Sequence, residues 1–263
     1  MSLTTPSWLS RRDDRRHGVI RLDAATVMLQ WSAGGLGFLW FTTRRQVVGL
    51  GYAMLVRAVF ALFAAISVLL GVRYGVVLLR EVSGVAVIIV ALATLRSRRH
   101  TIDLLAPALA VPGLVAAALA ATDGLANTAV SIARILVGTA FLGAVSDGML
   151  LGHWYLVQPG MPRRLLNEMT AAVMWTWPLE VAVLLLPTGM VSVLNGSIDD
   201  GWDGVLGWFW LASAVLTGVL ALVTRAALRD RGYPAVMAAT GLLYLAILTA
   251  FATDIVARAL LAG

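Results

Sequence analysis

Residues 47–71 read VVGLGYAMLVRAVFALFAAISVLLG, a run of 25 residues in which Arg57 is the only charged side chain. The hydrocarbon core of a bilayer is crossed by about 20 consecutive apolar residues in a helix that rises about 1.5 Å per residue. This run meets that requirement with residues to spare. It therefore predicts a transmembrane helix.

Seven further apolar stretches accompany this one. Of the 263 residues, 60% are hydrophobic and only 13% are charged, and a soluble domain usually carries about twice that share of charge. We therefore predict an all-α, polytopic integral membrane protein, a bundle of about eight transmembrane helices joined by short loops. The predicted spans cover residues 24–41, 47–71, 75–95, 103–121, 128–157, 165–191, 204–224 and 234–260.

The first 21 residues differ in character from the rest of the chain. Their centre, Arg11-Arg12-Asp13-Asp14-Arg15-Arg16, is polar, and the segment lacks the apolar core and cleavage site of a signal peptide. We predict a polar N-terminal arm at residues 1–21 and a single transmembrane helical domain at residues 22–263.

The arginines between the spans predict an orientation. Every second connection is basic, and the four basic connections together hold 10 of the 20 arginines. Basic connections favour the cytoplasmic side, so eight spans place both termini on the outer face of a bacterial-type plasma membrane. Seven spans remain an alternative if the first segment lies in the membrane interface. The basic connections contain Arg44 and Arg45; Arg96, Arg98 and Arg99; Arg163 and Arg164; and Arg225, Arg229 and Arg231.

The residue types that are missing exclude several kinds of chemistry. The chain has no cysteine, which excludes disulfides, iron–sulfur clusters and covalently attached haem. All 20 basic residues are arginine, so neither a lysine Schiff base nor a P-loop is possible. With His17, His100 and His153 as the only histidines, we do not expect a haem, and no metal site is predicted. The net charge of +6 is spread over the loops, which does not favour nucleic-acid binding.

Ionisable side chains occur inside the predicted spans, where they mark either structural ion pairs or a functional path. When depth is counted at about 1.5 Å per residue, opposite charges fall at three matching levels. These groups are Arg57 with Asp147, Arg80 and Glu81 with Glu180, and Arg134 with Asp254. One interpretation is a set of static pairs that tie helices together. The other is a polar path for protons, an ion or a quinone head group.

Glu180 is the strongest single candidate for a ligand or proton site. Pro178 lies two positions before it and removes a backbone donor from the helix, which frees a carbonyl group and favours a kink. Trp177 stands next to the proline. The sequence therefore predicts a kinked helix with an acid beside the kink.

The stretch from Asp147 to Tyr155 is the second candidate. It combines Asp147 with His153 and Trp154 near the inner membrane face, where aromatic residues often form a belt. A histidine at this depth could bind a quinone carbonyl and change its charge near neutral pH. In the same stretch Gly148 and Gly152 form a G-x-x-x-G step, which favours close packing against a neighbouring helix.

Three functional hypotheses fit these patterns. The first is a membrane subunit of a respiratory or other quinone-linked electron-transfer complex, in which Asp147, Glu180 and His153 serve a quinone or proton site and partner subunits supply the redox centres. Its plan of eight helices is similar in architecture to the membrane anchors of some molybdenum and polysulfide reductases. The second is a proton- or ion-coupled transporter of a small solute that uses Arg57, Asp147 and Glu180. The third is a structural or assembly subunit. Because the loops are too short for a separate catalytic unit, we do not expect an enzyme that acts alone.

Overall fold

The computed structural model describes residues 23–122, 124–158, 160–230 and 232–261. The predicted N-terminal arm at residues 1–21 lies outside these ranges. Throughout the described residues, every regular element is helical. The helices are α1 (Ala24–Thr43), α2 (Leu50–Tyr74), α3 (Leu78–Ala93), α4 (Leu105–Ala120), α5 (Leu125–Val157), α6 (Arg164–Leu185), α7 (Gly189–Leu194), α8 (Val205–Ala227) and α9 (Tyr233–Leu261), and a 3-10 turn at His100–Leu104 leads into α4.

Each of the eight apolar stretches is a helix, and the sixth ends earlier than predicted. α6 stops at Leu185, and Leu186 is extended. Pro187 follows, and a proline disfavours helical backbone in the residue before it. The chain resumes as the short helix α7 at Gly189.

Five helical segments are long enough and apolar enough to cross a membrane, not the predicted eight or so. They are Leu50–Tyr74, His100–Ala120, Leu125–Val157, Val205–Ala227 and Tyr233–Leu261. The other three fall short for different reasons. α3 has only 16 residues, whereas α1 contains several glycines and polar side chains and α6 contains Arg164, Glu168 and Glu180. The structure is thus that of an all-α, multi-pass membrane protein.

α5 occupies the centre of the bundle and contacts α1, α4, α6 and α9. Two glycines allow the closest of these approaches. A Cβ atom added at Gly143 of α5 would lie 2.3 Å from the carbonyl carbon of Gly34 of α1, far inside van der Waals contact. The two backbones therefore touch directly, as small residues permit in membrane helices.

The four basic connections meet at one end of the bundle, which we call the arginine-rich end. Arg45 forms an ion pair with Glu168 of α6 at 2.7 Å, and Thr43 donates a hydrogen bond to Asp103 at 2.7 Å. Arg163 donates to the carbonyl oxygen of Gly232 at 2.8 Å. The opposite end, which carries Asp199, Asp200 and Asp203, is called the acid end.

Candidate functional site

A cavity of about 740 Å³ opens at the acid end, within the size range of small-molecule sites. It lies between the first turn of α1, the first turns of α5 and the last turns of α4, α6 and α9. Two arginines and one aspartate are the charged residues of its described wall. The polar lining residues are Asp23, Thr26, Thr122, Asn127, Ser131, Arg134 and Arg258.

Arg134 of α5 fastens the end of α6 to the cavity wall. Its Nε donates to the carbonyl oxygen of Val183 at 3.1 Å, and its Nη2 donates to that of Leu186. The last carbonyl groups of a helix have no partner within the helix. Because α6 stops before Pro187, these carbonyls are available to the guanidinium.

Arg258 of α9 is held by Asp254, one turn earlier on the same helix. Its Nε lies 2.8 Å from both carboxylate oxygens of Asp254, and its Nη2 donates to the carbonyl oxygen of Arg134 at 3.1 Å. Among the described residues, no acceptor binds Nη1 of Arg258 or of Arg134. Each guanidinium in the wall therefore has one nitrogen, Nη1, that can donate hydrogen bonds to a ligand.

Glu180 lies behind this wall with no exposed surface. Within the described part of the chain, neither of its carboxylate oxygens accepts a hydrogen bond from an N–H or hydroxyl group, but the carboxyl lies within hydrogen-bond reach of Asp254, to which it can donate when it is protonated. The charged side chains that interact with it electrostatically are Asp254, Arg258 and Arg134. A buried acid that no N–H or hydroxyl group compensates is costly when ionised and is typical of functional sites in membrane proteins.

Gly138 of α5 allows polar groups of two other helices, α1 and α9, to converge beside this cluster. A Cβ atom added there would lie 2.4 Å from Nε2 of Gln30, 2.8 Å from Nη2 of Arg258 and 2.9 Å from Oδ1 of Asp254. Gln30 of α1 is completely buried, and both atoms of its amide lack partners in the described ranges. The cluster therefore joins α1, α5, α6 and α9.

The charges of this site lie in two layers. Arg134 and Arg258 line the cavity, whereas Asp254 and Glu180 do not and have no exposed surface. Asp23 also lines the cavity, but both of its oxygens accept hydrogen bonds from Arg80, at 2.9 and 2.8 Å. A solute in the cavity would therefore meet cations first and carboxylates behind them.

The predicted pair of Arg57 and Asp147 is not formed. Arg57 binds Asp103 through Nε at 3.2 Å and also donates to the carbonyl oxygens of Leu95 and Ser97. Asp147 accepts a hydrogen bond from the hydroxyl of Tyr52 at 2.6 Å. The sequence does not single out Asp103, because it is the first residue of the predicted span 103–121, where an acid is common.

The other two predicted groups are also rearranged. Arg80 forms ion pairs with Glu81 at 2.6 Å and with Asp23 at 2.8 Å, and Glu180 is not part of that set. Arg134 and Asp254 lie in one cluster, but Arg258 stands between them and takes the carboxylate. Their equal depth in the membrane therefore correctly predicts that Arg134 and Asp254 lie in the same cluster. It does not predict that the partner of Asp254 is Arg258.

The residues expected around His153 stay near the arginine-rich end, far from Glu180. The imidazole is exposed and lies 3.4 Å from the hydroxyl of Tyr244. Trp154 donates to Gln158 at 3.1 Å and packs edge-on against Tyr52. Asp147 is 13 positions from Arg134 along α5, which corresponds to about 20 Å. Asp147 and Glu180 thus cannot bind the same head group.

Trp177 has a structural contact that explains its position. Its Nε1 donates to the carbonyl oxygen of Ala214 in α8 at 2.8 Å, and its ring packs over Gly218. The tryptophan therefore anchors α6 to α8 rather than facing the cavity.

A second, apolar crevice of about 370 Å³ lies between α1, α4 and α5. Phe38, Trp40 and Phe41 of α1 and Pro107 of α4 are part of its wall, and Thr139 is one of its few polar groups. A crevice of this kind suits a lipid chain or a flat apolar ring better than a charged solute.

No protein-family model, curated protein or solved structure matches this chain.

Proposed function

We propose that this protein is a multi-pass membrane transporter that takes a small solute from the acid-end cavity and couples its movement to protons carried by Glu180. The observation that supports this most strongly is the state of Glu180. It is completely buried behind the cavity wall, neither oxygen accepts a hydrogen bond from an N–H or hydroxyl group of a described residue, and its nearest polar partner is another carboxylate, that of Asp254. A purely structural acid would be expected to have the fixed partner that Asp254 has in Arg258.

The neighbours of Glu180 make a proton a better coupling ion than a metal cation. Arg134 and Arg258 already balance the charges of the two carboxylates, so the cluster offers a further metal cation no net negative charge. Within the described residues, no three histidine, aspartate or glutamate side chains are grouped to hold a metal. A proton becomes part of a carboxyl group and needs no set of ligands of its own. Two interacting carboxyl groups can share it.

The proposal includes eight membrane crossings, with α1, α3 and α6 added to the five apolar segments. Contacts at both ends of the bundle support this for α1 and α6. α1 runs from Asp23, which binds Arg80, to Thr43, which binds Asp103. Near one end of α6 Glu168 binds Arg45, and near the other end the carbonyl oxygen of Val183 accepts a hydrogen bond from Arg134. The arginine-rich end would face the cytoplasm and both termini the outside.

Proton-driven uptake into proteoliposomes tests the proposal. The purified protein is reconstituted with a trapped pH-sensitive dye, and a panel of labelled small solutes of negative, neutral and positive charge is offered with an acid outside medium. We expect one class to accumulate and to acidify the lumen. Glu180→Gln should permit only passive equilibration of that solute, because the carboxamide carries no proton.

Glu168→Gln is the matched control, since it makes the same change on the same helix at the arginine-rich end. It should accumulate solute as the unmodified protein does. Accumulation that is equally strong in Glu180→Gln would show that Glu180 does not couple protons. If no solute of the panel accumulates, the protein is not a transporter of this type.

A second candidate is the quinone-linked subunit, and the apolar crevice favours it. A quinone ring could pack against Phe38, Trp40 and Phe41, with redox centres supplied by partner subunits. Purification in mild detergent followed by extraction and chromatography would detect a bound quinone and co-isolated redox subunits. A protein free of both would exclude this role.

A further inference from the structure

We infer that the solute of the acid-end cavity is a small carboxylate monoanion, held between Arg134 and Arg258, and that it binds together with one proton. This inference rests on the proposed transport function and adds the class of substrate and the coupling of charge. It follows from which charges face the cavity, from their sum and from the geometry of the two guanidinium groups.

The wall of the cavity suits an anion. Arg134 and Arg258 line the cavity, and no unpaired carboxylate of the described wall faces them. Asp254 lies behind the wall, and Asp23 is bound by Arg80. The Nη1 nitrogens of both arginines have no acceptor among the described residues. Planar guanidinium groups bind carboxylates with matched geometry and strong, charge-assisted hydrogen bonds.

The fixed contacts of the two arginines leave them in place to receive this anion. Arg134 is anchored by the carbonyl oxygens of Val183 and Leu186, and Arg258 by Asp254 and the carbonyl oxygen of Arg134. The link from Arg258 to the backbone of Arg134 holds the two side chains in one arrangement. A preorganised pair of this kind loses little conformational entropy when a ligand binds.

The net charge of the cluster explains why a proton would bind together with the anion. Arg134 and Arg258 on one side and Asp254 and Glu180 on the other sum to zero when all four are ionised. The groups packed on this cluster from α1, chiefly Gln30, are uncharged, and Asp23 at the rim is paired with Arg80. A bound monoanion would leave one uncompensated negative charge in a medium of low dielectric constant, which is strongly unfavourable. Uptake of one proton by Glu180 restores neutrality.

Glu180, rather than Asp254, is the group that can accept this proton without breaking a contact. Asp254 uses both oxygens to hold Nε of Arg258, so its protonation would release an arginine of the wall. Neither oxygen of Glu180 accepts a hydrogen bond from an N–H or hydroxyl group of a described residue, and its carboxyl lies within hydrogen-bond reach of Asp254, so a protonated Glu180 can donate to that carboxylate. Proton uptake there leaves the anion site intact.

Calorimetry on the full-length protein in detergent tests this inference. Lactate serves as the monoanionic probe and lactamide as its neutral isostere, and each is titrated in two buffers of different ionisation enthalpy. We expect lactate to bind, lactamide not to bind, and about one proton to be taken up per lactate. With one proton linked to binding, the affinity for lactate should rise about tenfold for each unit of falling pH.

Four variants separate the roles. Arg134→Gln and Arg258→Gln should each weaken lactate binding at least about tenfold, the effect of one charge-assisted contact, whereas Arg164→Gln at the other end should have no effect. Glu180→Gln should still bind lactate, but without proton uptake and without dependence on pH, because the amide imitates the protonated acid. Size-exclusion profiles and unfolding temperatures would verify that each variant is folded.

The two proposals can fail separately. Equal binding of lactate and lactamide, or binding of lactate without proton uptake, would overturn the inference about the anion while leaving proton-driven transport of another solute intact. Lactate binding with proton uptake but without accumulation in proteoliposomes would support the anion site and contradict transport. No binding of lactate at any pH would overturn the inference directly.

Discussion

Arg258 of α9 contacts Asp254, one turn earlier, through a single nitrogen that lies 2.8 Å from both carboxylate oxygens. Asp254 is completely buried, and the side chain of Arg258 is only 15% exposed. The same guanidinium donates to the backbone of α5 at Arg134. This ion pair therefore fixes an arginine of the cavity wall and joins two helices of the bundle.

Asp254→Asn is expected to destabilise the protein, because it removes the carboxylate whose two oxygens accept from Nε of Arg258. Loss of one member of a buried pair typically costs about 3 kcal/mol. Unfolding in detergent by sodium dodecyl sulfate, followed by tryptophan fluorescence, measures the free energy of unfolding. The double variant Asp254→Asn with Arg258→Met should recover a large part of the loss. If it is less stable than Asp254→Asn alone, the pair does not have this role.

Arg57 is expected to be coupled energetically to Asp103 and not to Asp147. A double-mutant cycle with Arg57→Met and Asp103→Asn should give a coupling free energy above about 1 kcal/mol, as is usual for residues in direct contact. The corresponding cycle with Asp147→Asn should stay below about 0.5 kcal/mol, because Asp147 is bound by Tyr52. Unfolding free energies measured for the six proteins decide between the two partners, and the reverse ranking would contradict the structure.

The positions of the helices could be predicted from the sequence, whereas the partners of the charged residues could not. Hydropathy depends on each segment separately, and all eight apolar stretches are helices. Depth along a span says nothing about which face of the helix a residue occupies or which helix lies next to it. Arg57 consequently pairs with Asp103 rather than with Asp147 at equal depth.

In the candidate site, too, the sequence identifies single residues but not the neighbours that they contact. Glu180 could be singled out from Pro178 and its position inside a span, and Arg134 from its charge. Gln30 gave no signal, because a glutamine in an apolar helix resembles any other polar packing residue until Gly138 is placed beside it. The three-dimensional arrangement of α1, α5 and α9 is what makes these residues one site.

Gly143→Ala is expected to separate α1 from α5 and to destabilise the bundle. The added methyl group would lie 2.3 Å from the carbonyl carbon of Gly34 and 2.4 Å from its oxygen. Because both neighbours are backbone atoms, the helices must move apart, and overpacking of this kind costs about 1 to 3 kcal/mol. The free energy of unfolding in dodecyl sulfate provides the measurement.

Gly241→Ala is the matched control, since it makes the same change in a helix with nothing within 4 Å of the added atom. Alanine has the higher helix propensity, so this variant should be as stable as the unmodified protein or slightly more stable. Equal stability of the two variants would show that the contact of Gly34 with Gly143 is not tight.

Asp200 is expected to hold the start of α8 in a manner that depends on pH. Desolvation acts to raise the pKa of this carboxyl, but hydrogen bonds from the backbone N–H groups of Trp202, Gly204, Gly207 and Leu206 outweigh it and bring the pKa below its ordinary value. These donors include the first N–H groups of the helix, which have no partner within it. Asp200→Asn should therefore destabilise the N-terminus of α8 by about 1 kcal/mol at neutral pH.

The sign of the pH effect follows from the lowered pKa. An unfolded aspartate has a pKa of about 3.9, so the stabilisation by Asp200 is complete above that pH and is lost as the pH falls through the lower pKa of the folded state. Hydrogen exchange of the amides of Leu206 and Gly207, read by mass spectrometry, should quicken in Asp200→Asn at pH 7. The difference from the unmodified protein should shrink below the folded pKa. Asp199→Asn, which removes a charge from an exposed side chain that accepts from Gly201, should leave those amides unchanged, and equal acceleration in both variants would refute the assignment to Asp200.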